Sequence, residues 1–201
     1  MPERLEQITA WLQAEPAFAA LDIRPASFDA SFRRYFRATF ADGTTRVVMD
    51  APPQHEDCRP FLHIAKLFED AGTHVPHVYG HDLEQGFLLL SDLGNTTYLD
   101  ALNGQSINSA GALYSAATDA LIKIQLASRG NELPPYDENL LLREMRLFPE
   151  WYIGKHLDVT LSDAQNAKLE TVFARIIANN LTQPQVYVHR DYHSQIGRAH
   201  V

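Results

Sequence analysis

Apolar residues recur along this chain with more than one period, and each change of period marks a change of element. Over residues 3–14, Leu5, Ile8 and Leu12 share one stripe with Trp11 beside it, the spacing of an amphipathic helix. Glu15-Pro16 breaks that helix, and Pro25 lies a little further on. From Ser27 to Met49 the period falls to two: Phe32, Arg34, Phe36, Ala38 and Phe40 alternate with Ser31, Arg33, Tyr35, Arg37 and Thr39. Asp42-Gly43 tolerates positive φ and predicts a tight turn, and Arg46-Val47-Val48-Met49 returns until Pro52-Pro53 stops it. This predicts a β-hairpin extending into a third strand. Residues 58–71 return to helical spacing through Phe61, Ile64, Ala65 and Phe68, with Gly72 just past the end. Residues 75–79 read as extended, and the short apolar run Gly86-Phe87-Leu88-Leu89-Leu90 reads as a buried strand ended by Ser91-Asp92-Leu93-Gly94.

Beyond Gly94 the pattern becomes helical. Residues 110–127 place Leu113, Ala116, Ala117, Ala120, Leu121 and Ile124 in register, and residues 140–157 predict one or two short helices rich in aromatic and charged side chains. Ser162 and Gln165 have the spacing of a capping box opening a helix with Leu169, Val172, Phe173, Ile176 and Ile177 on one face. Pro184 follows it, and Val186–Val188 predicts a strand leading into His189-Arg190-Asp191. The expected class is α+β. A β-rich small lobe spans residues 1–94 and part of a helical lobe spans residues 95–194, with residues 195–201 as a separate tail.

Composition narrows the function. The chain has 201 residues, 45% of them hydrophobic, which suffices for one good core or two small ones. Its formal charge of -8 and lack of a Lys/Arg block argue against a nucleic-acid partner. A single cysteine, Cys58, excludes an internal disulfide and a cysteine-based zinc site. No run approaches the ~20 apolar residues of a membrane span, and the N-terminus is acidic and amphipathic, so a cytoplasmic protein is expected.

The chemistry gathers at His189-Arg190-Asp191. A carboxylate delivered by a strand into a loop stands where kinase-like phosphotransferases keep the base that takes the proton of the attacking hydroxyl. Two other readings stay open on the residues alone. Asp191 can be a loop residue capping a turn, and His189, Asp191 and His193 alternate as metal ligands do, although the other close histidine pair, His74 and His77, falls in a loop. Arg33, Arg34 and Arg37 read either as a solvated face or as a phosphate cradle. Trp151 and Tyr152 read as sugar-stacking residues or as ordinary core or lid contacts.

With these motifs assembled, the chain resembles the aminoglycoside phosphotransferase-like branch of the kinase fold. The resemblance is carried by Ser31 to Arg37, Val48 to Pro53, Phe87 to Gly94, Leu147 to Tyr152 and His189 to Ser194. Within that branch it looks most like the anomeric N-acetylmuramate/N-acetylglucosamine kinases of bacterial cell-wall recycling. The resemblance implies a two-lobed kinase-like fold, ATP and Mg2+ as cofactors, a sugar acceptor and Asp191 as catalytic base. It implies that His189 and Arg190 brace the catalytic loop, His189 by hydrogen bonding. Ser31, Phe32, Arg33 and Arg34 would turn over the nucleotide phosphates, and Ser91, Asp92 and Leu93 would be the hinge that reads adenine. Two positions depart from the family pattern. Met49 stands where a kinase places its phosphate-binding lysine, for which Arg33 or Arg34 could substitute, with Glu56 or Glu69 as acidic partner. Ile196 stands where a magnesium-binding asparagine is expected, and the second magnesium ligand would lie past residue 201. Other acceptors (an aminoglycoside, choline or homoserine) and a catalytically dead binding module are the alternatives.

The tail fits nothing before it. A common sequencing-library adapter, translated in one frame, reads Ile-Gly-Arg-Ala-His-Val and then a stop, which matches residues 196–201. The expectation is a non-native tail on a truncated kinase that lacks its magnesium ligands and has no activity by itself.

Overall fold

The computed structural model describes residues 2–28, 32–103, 107–194 and 196. Helix α1 (Pro2–Ala14) leads through a 3-10 turn at Pro16–Phe18 into strand β1 (Asp22–Phe28), followed by β2 (Arg34–Thr39), β3 (Thr45–Asp50), helix α2 (Arg59–Asp70), β4 (Val78–Asp82) and β5 (Phe87–Ser91). The five strands form one antiparallel sheet in the order β1-β2-β3-β5-β4. The predicted hairpin is β2–β3. The further strand that sequence periodicity obscured is β1, which lies at the sheet edge and bulges between Pro25 and Ser27. An edge strand accommodates Pro25 because the missing N–H costs no ladder bond there.

Alternation along the central strands divides the core between the two sheet faces. Val48, Phe87 and Leu89 pack with Phe36, Ala38 and Phe40 against Ile8 and Leu12 of α1. Met49, Leu88 and Leu90 point the other way and pack with Ala51 and Cys58 against Phe61 and Leu62 of α2. These strands are buried on both faces, which explains why Phe87 to Leu90 reads as an unbroken apolar run.

The chain forms two compact units. The first comprises residues 1–127 and 189–201, the second residues 128–188. The first unit adds helices α3 (Tyr98–Leu102) and α4 (Ile107–Leu126) to the sheet. A reciprocal capping box between Thr97 and Asp100 opens α3, and its first N–H groups, those of Tyr98 and Leu99, donate to the carbonyls of Ile196 (2.9 Å) and Ser194 (2.6 Å). The second unit contains helix α5 (Glu138–Leu147), a π-helical segment (Phe148–His156) and helix α6 (Asp163–Leu181). Ser162 and Gln165 form the predicted capping box of α6, whose Phe173 and Ile177 are buried. No helix among the described residues is long and apolar enough to cross a membrane.

One expected element is absent. Residues 186–188 belong to no strand and pair with none among the described residues. β-Branched composition suits a strand, but a ladder needs a partner, and here the Tyr187 N–H donates to Ser128 Oγ at 2.7 Å.

Candidate active site

The loop that follows begins with a half-buried ring. His189 stacks on Phe68 of α2 (centroids 6.0 Å apart) and meets Tyr192 edge-on at 5.2 Å. Burial pushes its pKa down against the nearby Asp191 charge, which favours the neutral imidazole. Its Nδ1 is buried with no hydrogen-bond partner among the described residues, so aromatic packing braces this end of the loop. Tyr192 fixes the other side by donating its hydroxyl to Ala117 O of α4 at 2.5 Å. Between these anchors Arg190 adopts φ 70, which turns the chain and breaks the alternation expected of a strand.

That turn separates the three metal-type residues. His189 faces inward, whereas Asp191 is 82% exposed and takes His193 Nε2 at 2.9 Å. No three His, Cys, Asp or Glu residues are gathered as a metal site among the described residues. Ile196 has no ligating side-chain atom to offer a magnesium ion.

The hairpin arginines, adjacent in sequence, part to opposite faces. Arg34 points to the α1 face and donates through Nη2 to Asp50 Oδ2 at 2.5 Å. Asp50 is fully buried, and its other oxygen accepts from Arg4 Nε (3.1 Å) and Nη2 (2.5 Å). Arg4 also donates to Gln85 O at 2.7 Å, tying α1 to the β4–β5 turn. Arg33 lies on the α2 side and donates to Glu56 Oε2 through Nη2 (3.1 Å) and Nε (3.3 Å). Burial works against its charge, but Glu56 and Tyr35 outweigh it and hold the guanidinium above its usual pKa. Of the two acidic candidates, Glu56 therefore meets the hairpin, while Glu69 pairs with Lys66 at 3.5 Å. Met49 is fully buried among apolar side chains and opposite Tyr35 in register. Phe32 is 62% exposed and stacks on His55 at 4.4 Å. Ser31 lies outside the described residues.

After β5 the chain is fastened to the hairpin. Arg37 donates to both oxygens of Asp92 (2.5 and 3.1 Å) and to Asn95 Oδ1 at 2.6 Å. Asp92 also accepts from Thr45 Oγ1 and from the Gly94 N–H. The Arg37 guanidinium leads the causes that bring the Asp92 pKa down to about 2. Ser91 N–H donates to His77 O, and Ser91 Oγ accepts from the His77 N–H. Leu93 is half-buried. The sequence singled out both Asp92 and Arg37 but did not pair them, since the contact spans 55 residues.

Trp151 and Tyr152 belong to the second unit, on the π-helical segment. Both are about half exposed (55% and 51%). Phe148, Tyr152 and His156 stack in succession at 5.6 and 5.5 Å, and Lys155 lies over the Trp151 ring at 3.5 Å. π-Helical turns are uncommon and often occur at functional sites.

The chain thus joins a five-stranded sheet and its packed helix to a run of helices and an exposed aspartate on a braced loop. Residues 22–195 match the phosphotransferase enzyme family (APH), and the chain belongs to that family. Its similarity to curated proteins is high: 48% identity to an N-acetylmuramate/N-acetylglucosamine kinase of Pseudomonas putida over 96% of this chain, and 42% to one of Neisseria meningitidis over 94%. The chain spans 59% and 57% of those two proteins. Among solved structures it is similar to a choline/ethanolamine kinase family protein of Mesorhizobium loti, with TM-score 0.58 and 14% identity, covering 96% of this chain and 60% of that one. It is also similar to a streptomycin-ATP-APH(2")-IIa ternary complex, with TM-score 0.52 and 14% identity, covering 88% and 59%. The α+β kinase-like fold expected from sequence is the fold of these neighbours.

Proposed function

We propose that this chain is part of an ATP-dependent kinase that phosphorylates the anomeric hydroxyl of N-acetylmuramate or N-acetylglucosamine, giving a sugar 1-phosphate and ADP. The observation that carries this is the 42–48% identity, over nearly all of the chain, to relatives named N-acetylmuramate/N-acetylglucosamine kinase, while the anomeric position rests on the sequence resemblance alone. At 14% identity, the choline and aminoglycoside enzymes among the structural neighbours support the fold and not the acceptor.

In this reading the small lobe ends at Gly94 and Asp191 is the base. Its exposed carboxylate orients the sugar hydroxyl and accepts its proton as the phosphoryl group transfers. His193 holds the carboxylate, and His189 and Arg190 set the shape of the loop. Ser91 N–H is already committed to His77, so adenine reading falls to the backbone of Asp92 and Leu93. Trp151 and Tyr152 offer flat faces on which a pyranose can stack. Magnesium, when bound, would supply charge neutralisation at the transferring phosphate. Ile196 offers that ion no side-chain ligand, which supports the reading that the 201-residue chain by itself has no turnover. One observation favours a second reading, a kinase-fold binding module without catalysis: the uncharged, fully buried Met49.

The deciding experiment incubates the longer protein with ATP and magnesium against both amino sugars, an aminoglycoside, choline and homoserine. Products are read by phosphorus NMR. A sugar 1-phosphate is expected. Phosphorylation of another acceptor alone overturns the substrate, and sugar binding without any product favours the binding module.

A further inference from the structure

The sheet face that carries Met49 has no lysine, and its central positions are Tyr35, Met49, Ala51, Leu88 and Leu90. The β3 cation, Arg46, alternates with Val48 and Asp50 to the other face and lies over the Phe40 ring at 4.6 Å, so a nucleotide bound on the Met49 side brings several negative charges to a surface that receives no cation from β3. Arg33, Arg34 and Arg37 differ sharply in what they can offer. Arg34 is turned to the opposite face and shares the fully buried Asp50 with Arg4. Arg37 is spent on both oxygens of Asp92 and on Asn95. Arg33 is the last residue before β2, and alternation puts it on the side of Tyr35 and Met49. Its acidic partner, Glu56, stands just ahead of α2.

We propose that Arg33, held in place by Glu56, is the cation that receives the nucleotide phosphates in this protein, replacing a lysine on β3. This rests on the phosphotransferase reading above. The physical case is the pairing of a strand-borne cation with an acid beside the first helix after the hairpin, moved from the middle of β3 to the start of β2. The pair is largely withdrawn from water, with Arg33 31% and Glu56 16% exposed, so a phosphate arriving there is screened less than at an open surface. A guanidinium offers phosphate a planar fork of N–H donors, and the carboxylate behind it fixes the direction of that fork. Glu56 is thus a positioning residue and Arg33 the one that touches the ligand.

The test is calorimetric titration of ATP, ADP and adenosine into the longer protein, for wild type, Arg33→Met, Arg33→Lys and Glu56→Gln. The expected result is a ~10- to 100-fold loss of ATP and ADP affinity in Arg33→Met with adenosine unchanged. Partial recovery is expected in Arg33→Lys and a smaller loss in Glu56→Gln. An equal loss of all three ligands would make Arg33 a residue that only shapes the turn and would overturn the proposal. Unchanged ATP affinity would overturn it too, while leaving the kinase reading intact. Absence of nucleotide binding by the wild type would remove both together.

Discussion

Arg37 Nε lies 2.5 Å from Asp92 Oδ2, so the second strand holds the segment that leaves the sheet after β5. The pair is mostly buried, with Asp92 8% exposed, and the carboxyl pKa is brought down to about 2 from 3.8. A depressed carboxylate stabilises the fold at pH values above its ordinary pKa and ceases to do so as the pH falls through the depressed one. That depression corresponds to ~2 kcal/mol. Asp92→Asn should therefore lower the unfolding free energy by about 2 kcal/mol at neutral pH. The gap to wild type should narrow as the pH falls from 3.8 towards about 2. Urea titrations across that range check it, and a gap that stays constant would locate the effect outside the ion pair.

Asp50 makes a different kind of demand. It is fully buried between Arg4 and Arg34, which are each about one-fifth exposed. Removing the acid leaves two half-buried guanidinium groups facing each other without an anion, whereas removing one arginine leaves a neutral pair. Asp50→Ala should cost ~3–5 kcal/mol, and Arg34→Ala clearly less. Denaturant midpoints of the two variants decide the order. An Asp50→Ala loss no larger than that of Arg34→Ala would show that the remaining arginines relax into water at little cost.

Gly86 and Gly72 both have positive φ, 74° and 73°, but only one is crowded. A Cβ on Gly86 would sit 1.9 Å from Ala51 O, whereas one on Gly72 meets nothing within 4 Å. Gly72→Ala should cost the left-handed backbone penalty alone, ~1 kcal/mol. Gly86→Ala adds a clash with backbone at the β3–β5 junction and should cost several times more, or prevent folding. Comparing melting temperatures tests this ranking.

How much of this was readable beforehand depended on the range of the interaction. Local devices were legible: the stripe of α1, the Asp42-Gly43 turn and the Ser162–Gln165 box each act over a few residues. Strand β1 was hidden because Pro25 suggests a break, and only its edge position makes it tolerable. Residues 186–188 misled for the converse reason, since their composition favours a strand and no partner strand is present among the described residues. Period two already sends Arg33 and Arg34 to opposite faces. What each meets there, Glu56 at 23 residues or Asp50 at 16, is tertiary information. The candidate site was found by motif, and its electrostatic wiring was not.

Asp191 carries the sharpest catalytic prediction. Its side chain is 82% exposed and its only described ion-pair partner is His193, so replacing it by the isosteric amide disturbs little packing. Asn cannot accept a proton from the acceptor hydroxyl, and general-base assistance of this kind is typically worth ~10²–10⁴-fold in rate. In the longer protein, Asp191→Asn should lower kcat by ~10²–10⁴-fold while nucleotide affinity stays within about twofold. His193→Gln keeps a hydrogen-bond donor near the carboxylate and should retain far more activity than Asp191→Asn. Steady-state kinetics paired with direct nucleotide titration separate the two effects. Equal turnover by Asp191→Asn and wild type would take Asp191 out of the mechanism and return it to the role of a turn-capping residue.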